Sequence, residues 1–467
     1  MGKQKLKGKD LRKIGFSSDQ AKSLAINIMA KFYKHLNKTK KLELLKDVMK
    51  HPEEYKTDKH LKSLAACFLP EIKHETHTAW KLNKKVGEYT VFGRPFISHN
   101  TLHQMDLAMS LPVAEKGAIM PDAHVGYGLP IGGVLATKNE VIPYAVGLDI
   151  GCRMALSVFD IPVEKMKGKT GQLKRVLMDH THFGMVKKRP DYAEHAILED
   201  PLFKTTTLLK QLRGKAIMQL GTSGAGNHFV EFGVVELPDI NALDLPGGQY
   251  YGLLSHSGSR GLGATIAQYY SRLAADLCRL PKGAQHLAWL DMDSAEGQEY
   301  WLAMNLAGEY AKACHDVIHN QLAKTIGARI IKKVENHHNF AWKEQQADGT
   351  ALIVHRKGAT PAAKGELGII PGTMISPAYI VSGKGDPAAL NSASHGAGRL
   401  FSRSKAREKF TRSEMRQLLK NAGVTTIGSG VDESPRAYKD IEKVIGAQQE
   451  LVQIAGEFTP RIVRMCK

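Results

Sequence analysis

With 467 residues the chain is long enough for one large domain or two ordinary ones, with a sizeable buried core. An apolar share of 43% and a charged share of 24% suit a globular protein, and no apolar run reaches the length of a transmembrane helix. A net charge of +19 points to a polyanionic partner, nucleic acid first; a basic protein without an anionic ligand is the plainer alternative. The start, Met1-Gly-Lys-Gln-Lys-Leu-Lys-Gly-Lys9, has no apolar stretch behind it and does not read as a secretory signal. Cys67, Cys152, Cys278, Cys314 and Cys466 are scattered and odd in number, which argues against a disulfide framework and for a reducing, cytoplasmic setting.

Residues 1–87 are lysine-dense and poor in glycine, and predict short helices. From Ser18 onward, Ala21, Leu24, Ala25 and Ile28 recur at helical spacing, while Lys5, Lys7 and Lys9 read as a disordered lead-in. From residue 88 the character changes to glycine-rich loops between short apolar strands. Val134-Leu-Ala, Ala155-Leu-Ser-Val-Phe, Val230-Glu-Phe-Gly-Val-Val and Tyr251-Gly-Leu-Leu-Ser are the predicted strands. Residues 296–333 predict the longest helix, with Asp293 and Glu296 as a capping box and Met304, Ala307, Ala311, Cys314 and Ile318 as its apolar stripe. The polar motifs are dispersed between residues 121 and 399 without a repeat, so one domain must gather them. The expectation is an α+β catalytic domain over 88–467, with mixed β-sheets flanked by helices, and an appended helical segment over 1–87.

Asp122 and His124 lie in Pro121-Asp-Ala-His-Val-Gly-Tyr-Gly, where dense glycine permits either a structural turn or close approach of a ligand. Val146-Gly-Leu-Asp-Ile-Gly-Cys152 sets the Asp149 carboxylate three residues from a thiol, and both bind metals. A nearby cation or metal would lower the Cys152 pKa, as a nucleophile or a ligand requires. Gly221-Thr-Ser-Gly-Ala-Gly-Asn-His228 precedes a strand and could offer backbone N–H groups to phosphate, with Asn227 and His228 at its end. It lacks the Gly-Lys-Ser/Thr of a Walker loop. His256, in Leu254-Ser-His-Ser-Gly-Ser-Arg260, stands at the end of a predicted strand, with Arg260 available to phosphate. His337-His338-Asn339 comes just past the long helix.

His315 and His319 stand four apart, as in zinc proteases, but no Glu follows the first; they read as exposed helix residues. Ser394-His-Gly-Ala-Gly-Arg399 sets a histidine among glycines with an arginine beyond, which suits a phosphate-handling nucleophile or acid. Arg403, Lys405, Arg407, Lys409, Arg412 and Arg416 follow, either as a solvated helix face or as an RNA-binding flank.

In this order, Pro-Asp-Ala-His-Val-Gly-Tyr-Gly, Asp-Ile-Gly-Cys, Gly-Asn-His-Phe, Ser-His-Ser-Gly-Ser-Arg-Gly, His-His-Asn, His-Arg-Lys-Gly-Ala-Thr and Ser-His-Gly-Ala-Gly-Arg resemble the RtcB family of GTP-dependent RNA ligases. The resemblance runs from about residue 90 to the C-terminus. It implies joining of RNA 2′,3′-cyclic phosphate or 3′-phosphate ends to 5′-hydroxyl ends, with GTP and two Mn²⁺ ions, in RNA repair or tRNA splicing. It implies that His395 becomes guanylylated and that Asp149, Cys152, His228, His256 and His338 hold the metals, with Cys152 bridging. It also implies that Asn227, Phe229, Glu231, Ser394, Ala397, Gly398, Arg399 and Lys467 surround the nucleotide, Glu231 and Lys467 reading the base. Arg260 and Arg403 match positions for RNA or phosphate, and an archease-like activator is a candidate partner.

The chain departs from that pattern in three places. Arg153 stands where the family usually has Gly, so a side chain there alters the metal loop or adds an RNA contact. In Gly372-Thr-Met-Ile375-Ser-Pro-Ala378-Tyr, a nucleotide-holding hydroxyl is missing at Ala378 unless Ser376 substitutes. The N-terminal segment is longer than a compact member needs. Two rival readings are a metal-dependent RNA-end phosphoesterase without ligation and a basic RNA-binding protein with a vestigial site.

Overall fold

The computed structural model describes residues 6–65, 67–68, 78–184, 192–346 and 349–466. The chain divides into two compact units, Met1–Thr76 and His77–Lys467. The first is helical: Gly8–Lys13, Asp19–Lys31, Lys38–Lys50 and a single turn at Lys62–Ala65. Ser18 Oγ accepts the Ala21 N–H and Asn37 Oδ1 accepts the Lys40 N–H, so the two long helices begin at side-chain caps. Their apolar stripes, with Ala21, Ala25, Ile28, Leu45 and Val48, close on Leu61 and Leu64 as a separate core. Lys7 and Lys9 are not a disordered lead-in. Lys7 is the N-cap of the first helix and Lys9 lies in its first turn, because Asp10 accepts the Lys7 N–H at 3.0 Å and Leu11 is buried in the core. Lys5 lies outside the described residues.

The second unit is α+β, as expected. Its larger sheet runs in the order Ile330–His337, Arg153–Phe159, Gly248–Ser257, Phe229–Leu237, Val452–Met465, Ala378–Gly383, Leu367–Pro371, every neighbour antiparallel. Thr425–Ile427 adds a short parallel partner to Val452–Met465. The two edges of this sheet nearly meet. Asn336 on one edge accepts the Ile369 N–H of the other at 2.9 Å, so the sheet curls toward a barrel and its edges are covered. A smaller sheet holds Asn339–Gln345, Ala351–Lys357, Ile131–Thr137, Ala114–His124 and Tyr89–Val91. The chain crosses from one sheet to the other at His338. All four strands expected from the sequence form.

The long helix spans Ala295–Ile326 and ends at Gly327, whose positive φ of 67° terminates it. The expected extension to 333 is wrong: Ile330–His337 pairs as an edge strand with Arg153–Phe159. Its N-cap is Ser294, whose Oγ accepts the Gly297 N–H, rather than Asp293, which is engaged by Asn139 at 2.9 Å. Among the described residues no helix is long and apolar enough to cross a membrane.

His315 and His319 are fully buried, not exposed. The helix lies on the larger sheet, and its inward face meets hydroxyls from two strands. Ser255 Oγ lies 2.6 Å from His315 Nδ1 and 2.7 Å from His319 Nε2, while Ser157 Oγ lies 2.7 Å from His319 Nδ1. Helical spacing alone shows which residues share a face; the serines that make burial tolerable come from distant sequence.

Burial drives the His319 pKa down to about 3 and that of His315 well below its ordinary value. The fold therefore excludes a proton that the unfolded chain takes up near pH 6.5, so this stabilisation is complete above pH 6.5 and lost as pH falls below it. Urea unfolding followed by circular dichroism should lose about 1.4 kcal/mol per pH unit for each such histidine between pH 6.5 and 4. His319→Gln should flatten that slope by one share; an unchanged slope would contradict the neutral assignment.

Candidate active site

The metal-competent residues stand at one end of four neighbouring strands of the larger sheet. Cys152 and His228 immediately precede Arg153–Phe159 and Phe229–Leu237, His338 immediately follows Ile330–His337, and His256 is the penultimate residue of Gly248–Ser257. Antiparallel pairing brings these ends together: His256 registers with both Met154 and Phe229, and Arg153 with His337. Cys152 Sγ is 3.2 Å from His228 Nε2 and 3.1 Å from His256 Nε2, and His256 Nε2 is 3.2 Å from His338 Nε2. Asp149 Oδ2 lies 3.0 Å from His228 Nε2. Gly151 makes the approach feasible: its φ is +68°, and a Cβ there would lie 2.8 Å from Gly308 Cα of the long helix.

This donor set fits a cation. Cys152 Sγ and one nitrogen each of His228 and His256 lie within 4.8 Å of one another. Burial lowers His256 to about 3 and His338 well below its usual value, so these two imidazoles are neutral, as ligation requires. Burial, and then the Asp149 charge, push the Cys152 thiol well up. Two imidazole nitrogens crowd the sulfur at 3.1–3.2 Å, and His228 Nδ1 and His338 Nδ1 are buried without a partner. A shared cation relieves that crowding and would turn the thiol into a thiolate. The carboxylate beside it widens the choice from zinc to harder ions.

Beside this cluster is a cavity of about 290 Å³. Asn227, Phe229, Glu231, Ala397, Gly398 and Arg399 lie on its wall, together with His256 and His395. Ser394 does not. It is fully buried behind His395, with its N–H donated to Gln448. Lys467 lies outside the described residues. Burial raises the Glu231 carboxyl well above its ordinary range, and its place on the wall opens it to polar groups of a ligand. Ala378 is on the wall without a hydroxyl, but Ser376 is there too, 3.0 Å from Thr373 Oγ1.

His395 is held by Asp122, which the sequence left undecided between turn and ligand contact. Asp122 Oδ2 lies 2.6 Å from His395 Nδ1 and also accepts the backbone N–H groups of His395 and Gly396. Burial opposes the Asp122 charge, but His395 and Lys439 hold its carboxyl below the usual range. The ring of His395 is 5.1 Å from that of His338, so it faces the donor cluster. Gly398, at φ +73°, lets the loop pass Asp122, since a Cβ there would sit 2.0 Å from its carbonyl oxygen. His124 is also on the cavity wall, its Nδ1 facing the Arg399 N–H at 3.5 Å, with burial lowering its pKa to about 4.

Of the arginines, Arg260 donates to Thr222 Oγ1 and to the Gly184 carbonyl, both at 3.2 Å. Its guanidinium lies by Gly224, where a Cβ would meet both it and His228. Arg403 is on the cavity wall, paired with Asp432 at 2.9 Å and with Glu433. Arg399 is tied to Tyr438 Oη at 3.0 Å and to the Asp432 carbonyl at 2.7 Å. Arg153 cannot touch RNA: its side chain is 8% exposed and faces Glu335 and the Gly308 carbonyl, on the side covered by the long helix. His337 likewise turns away and stacks on Trp342.

Sequence reasoning missed Asp122 as an orienting group, Asp432 and Glu433 as the arginines' partners, and His355-Arg356-Lys357 as a clamp. His355 accepts the Ile142 N–H, Lys357 donates to the Tyr127 and Tyr144 carbonyls, and Arg356 bonds Glu344 and Ser392, two residues before Ser394. Only the last motif carried a signal, three polar residues inside an apolar strand.

Residues 104–202 and 193–465 match the family model described as tRNA-splicing ligase RtcB. The chain belongs to the RtcB family. It is 30% identical to the RNA-splicing ligase RtcB of Escherichia coli (strain K12) over 367 residues, covering 72% of this chain and 86% of that protein. It is 30% identical over 462 residues to the tRNA-splicing ligase RtcB of Nanoarchaeum equitans, covering 82% and 96%. The RNA-splicing ligase RtcB homolog 1 of Entamoeba dispar is 29% identical over 423 residues, covering 75% and 77%. The RtcB match includes Cys152, His228, His256 and His338 and the loop that carries His395.

Cys152→Ala should lower divalent-cation affinity at least about tenfold while leaving the circular dichroism spectrum unchanged. Equilibrium dialysis against Mn²⁺ with elemental analysis is the check; undiminished binding would remove Cys152 from the centre.

Proposed function

We propose that this chain is an RNA ligase of RNA repair or tRNA splicing, joining RNA 2′,3′-cyclic phosphate or 3′-phosphate ends to 5′-hydroxyl ends with GTP and Mn²⁺. The observation that carries this reading is the position of His395, anchored through Nδ1 to Asp122 at the border between the nucleotide-sized cavity and the cation-competent cluster. With Nδ1–H donated to Asp122, the lone pair resides on Nε2. That nitrogen attacks the α-phosphorus of GTP, pyrophosphate leaves, and a guanylylated histidine results. The buried Asp122 carboxylate offsets the positive charge the imidazole gains. The guanylyl group then passes to the RNA 3′-phosphate, giving RNA-3′-pp-5′-G, and the 5′-hydroxyl displaces GMP. Cyclic ends are first hydrolysed to the 3′-phosphate.

On this reading Asn227, Phe229, Glu231, Ala397, Gly398 and Arg399 bind the nucleotide, with Ser394 backing His395 and Lys467 joining Glu231 at the base. Asp149, Cys152, His228, His256 and His338 would hold two Mn²⁺ ions, Cys152 shared, supplying charge neutralisation at phosphorus and orientation of the attacking oxygen. Arg260 and Arg403 take RNA phosphates, Arg403 exchanging its carboxylate partners for them. Residues 88–467 are the catalytic domain. No disulfide joins the cysteines among the described residues, which suits a reducing cytoplasm.

Incubation with α-labelled GTP and Mn²⁺, then denaturation, should leave label on the protein and none on His395→Ala. Absence of any adduct across divalent metals would sink the ligase reading and favour a phosphoesterase. Asp122→Asn should slow adduct formation by about two orders of magnitude, with nucleotide affinity retained in a fluorescent-GTP titration. A normal rate would remove Asp122 from the mechanism.

A further inference from the structure

Residues 1–76 contain 18 Lys and Arg against nine Asp and Glu, so this short unit carries +9 of the chain's +19. The RtcB match begins only at residue 104. The unit has its own apolar core, and none of its lysines among the described residues is buried in it. Two basic segments converge there: Lys31-Phe-Tyr-Lys-His35, where the second helix ends, and Lys59-His-Leu-Lys62, where the last short turn begins. The Phe32 ring stacks flat on His60, with centroids 4.1 Å apart and planes 15° from parallel. Tyr33 meets the same imidazole edge-on at 6.4 Å, and Lys31 Nζ stands 5.0 Å from the Phe32 centroid. Phe32 is 40% exposed, and Lys31, Lys34, Lys59 and Lys62 are exposed around it. The neighbouring carboxylate, Asp58, is turned to the backbone, accepting the N–H groups of His60 and Leu61 at 2.7 Å.

We propose that this patch is a second RNA-binding surface, separate from the candidate active site, which holds single-stranded RNA. A base stacks on the Phe32–His60 platform while Lys31, Lys34, Lys59 and Lys62 meet the flanking phosphates. Lysines alone would suit an acidic protein equally; the flat, partly open ring pair favours a nucleobase. The choice of RNA among polyanions rests on the ligase reading, but the surface is tested without it.

The full chain is titrated with a fluorescein-labelled single-stranded RNA bearing a 5′-phosphate and a 3′-hydroxyl, ends this ligase chemistry does not join, and anisotropy is followed over a range of salt. Phe32→Leu should weaken binding about tenfold. Combined Lys31→Glu, Lys34→Glu and Lys59→Glu should reduce the salt slope by about two. Adduct formation with labelled GTP, which involves no RNA, should stay at the wild-type level in both. If thermal melts show that Phe32→Leu unfolds the unit, Lys59→Glu with Lys62→Glu reads the same surface from exposed positions. Unchanged RNA affinity and salt slope overturn the proposal while leaving the ligase reading intact. Loss of polyglutamate binding with RNA binding unchanged overturns it in favour of an acidic protein. A wild-type chain that forms no adduct fails the ligase reading alone, and the anisotropy series still decides this surface.

Discussion

The register of four adjoining antiparallel strands is the constraint on which the candidate site depends. Side chains alternate across a sheet, so a slip of one residue in Gly248–Ser257 would turn His256 toward the long helix and bring Ser255 or Ser257 into the donor cluster. The opposite face prevents that slip. Ser255 is fixed between His315 and His319, and His319 also reaches Ser157 on the next strand. One strand thus presents a candidate ligand on one side and a polar lock on the other. Neither face could move without loss at the other.

A second constraint joins the two sheets. His338 sits where the chain crosses between them, and Asp122, at the end of a strand of the smaller sheet, reaches the loop of His395. His395 and the cation-competent cluster therefore depend on how the sheets meet rather than on any single element. Arg356 shows what this arrangement demands. It is almost wholly buried, a costly position for a guanidinium, and Glu344, Ser392 and the Leu390 carbonyl compensate it. Those same bonds fix the strand that leads into His395.

Charge is distributed unevenly between chemistry and capture. Around the cavity, Arg399 and Arg403 are oriented by Asp432, Glu433 and Tyr438, so they are held in geometry by the protein's own groups. In the N-terminal unit the excess is lysine, unburied among the described residues and on long side chains. The first arrangement suits positioning and the second suits long-range attraction.

The sequence by itself determined the family, the α+β class and the predicted strands, and it singled out the candidate site residues, because dense glycine around isolated histidines is a local pattern. It also placed Cys152 beside Asp149 with no need of a fold. What only the tertiary structure decided was side-chain direction and partnership. His315 and His319 read as exposed because helical spacing says nothing of what covers a face, and the serines that bury them are about 60 to 160 residues away. Arg153 looked available to RNA because adjacency to Cys152 was visible, whereas the alternation that turns it under the long helix was not. Asp122 is 273 residues from His395, and no local pattern could pair them. The extra turns expected beyond Gly327 failed for the same reason: Ile330–His337 is a strand because Arg153–Phe159 needed an edge partner, a demand made by the sheet and not by the segment.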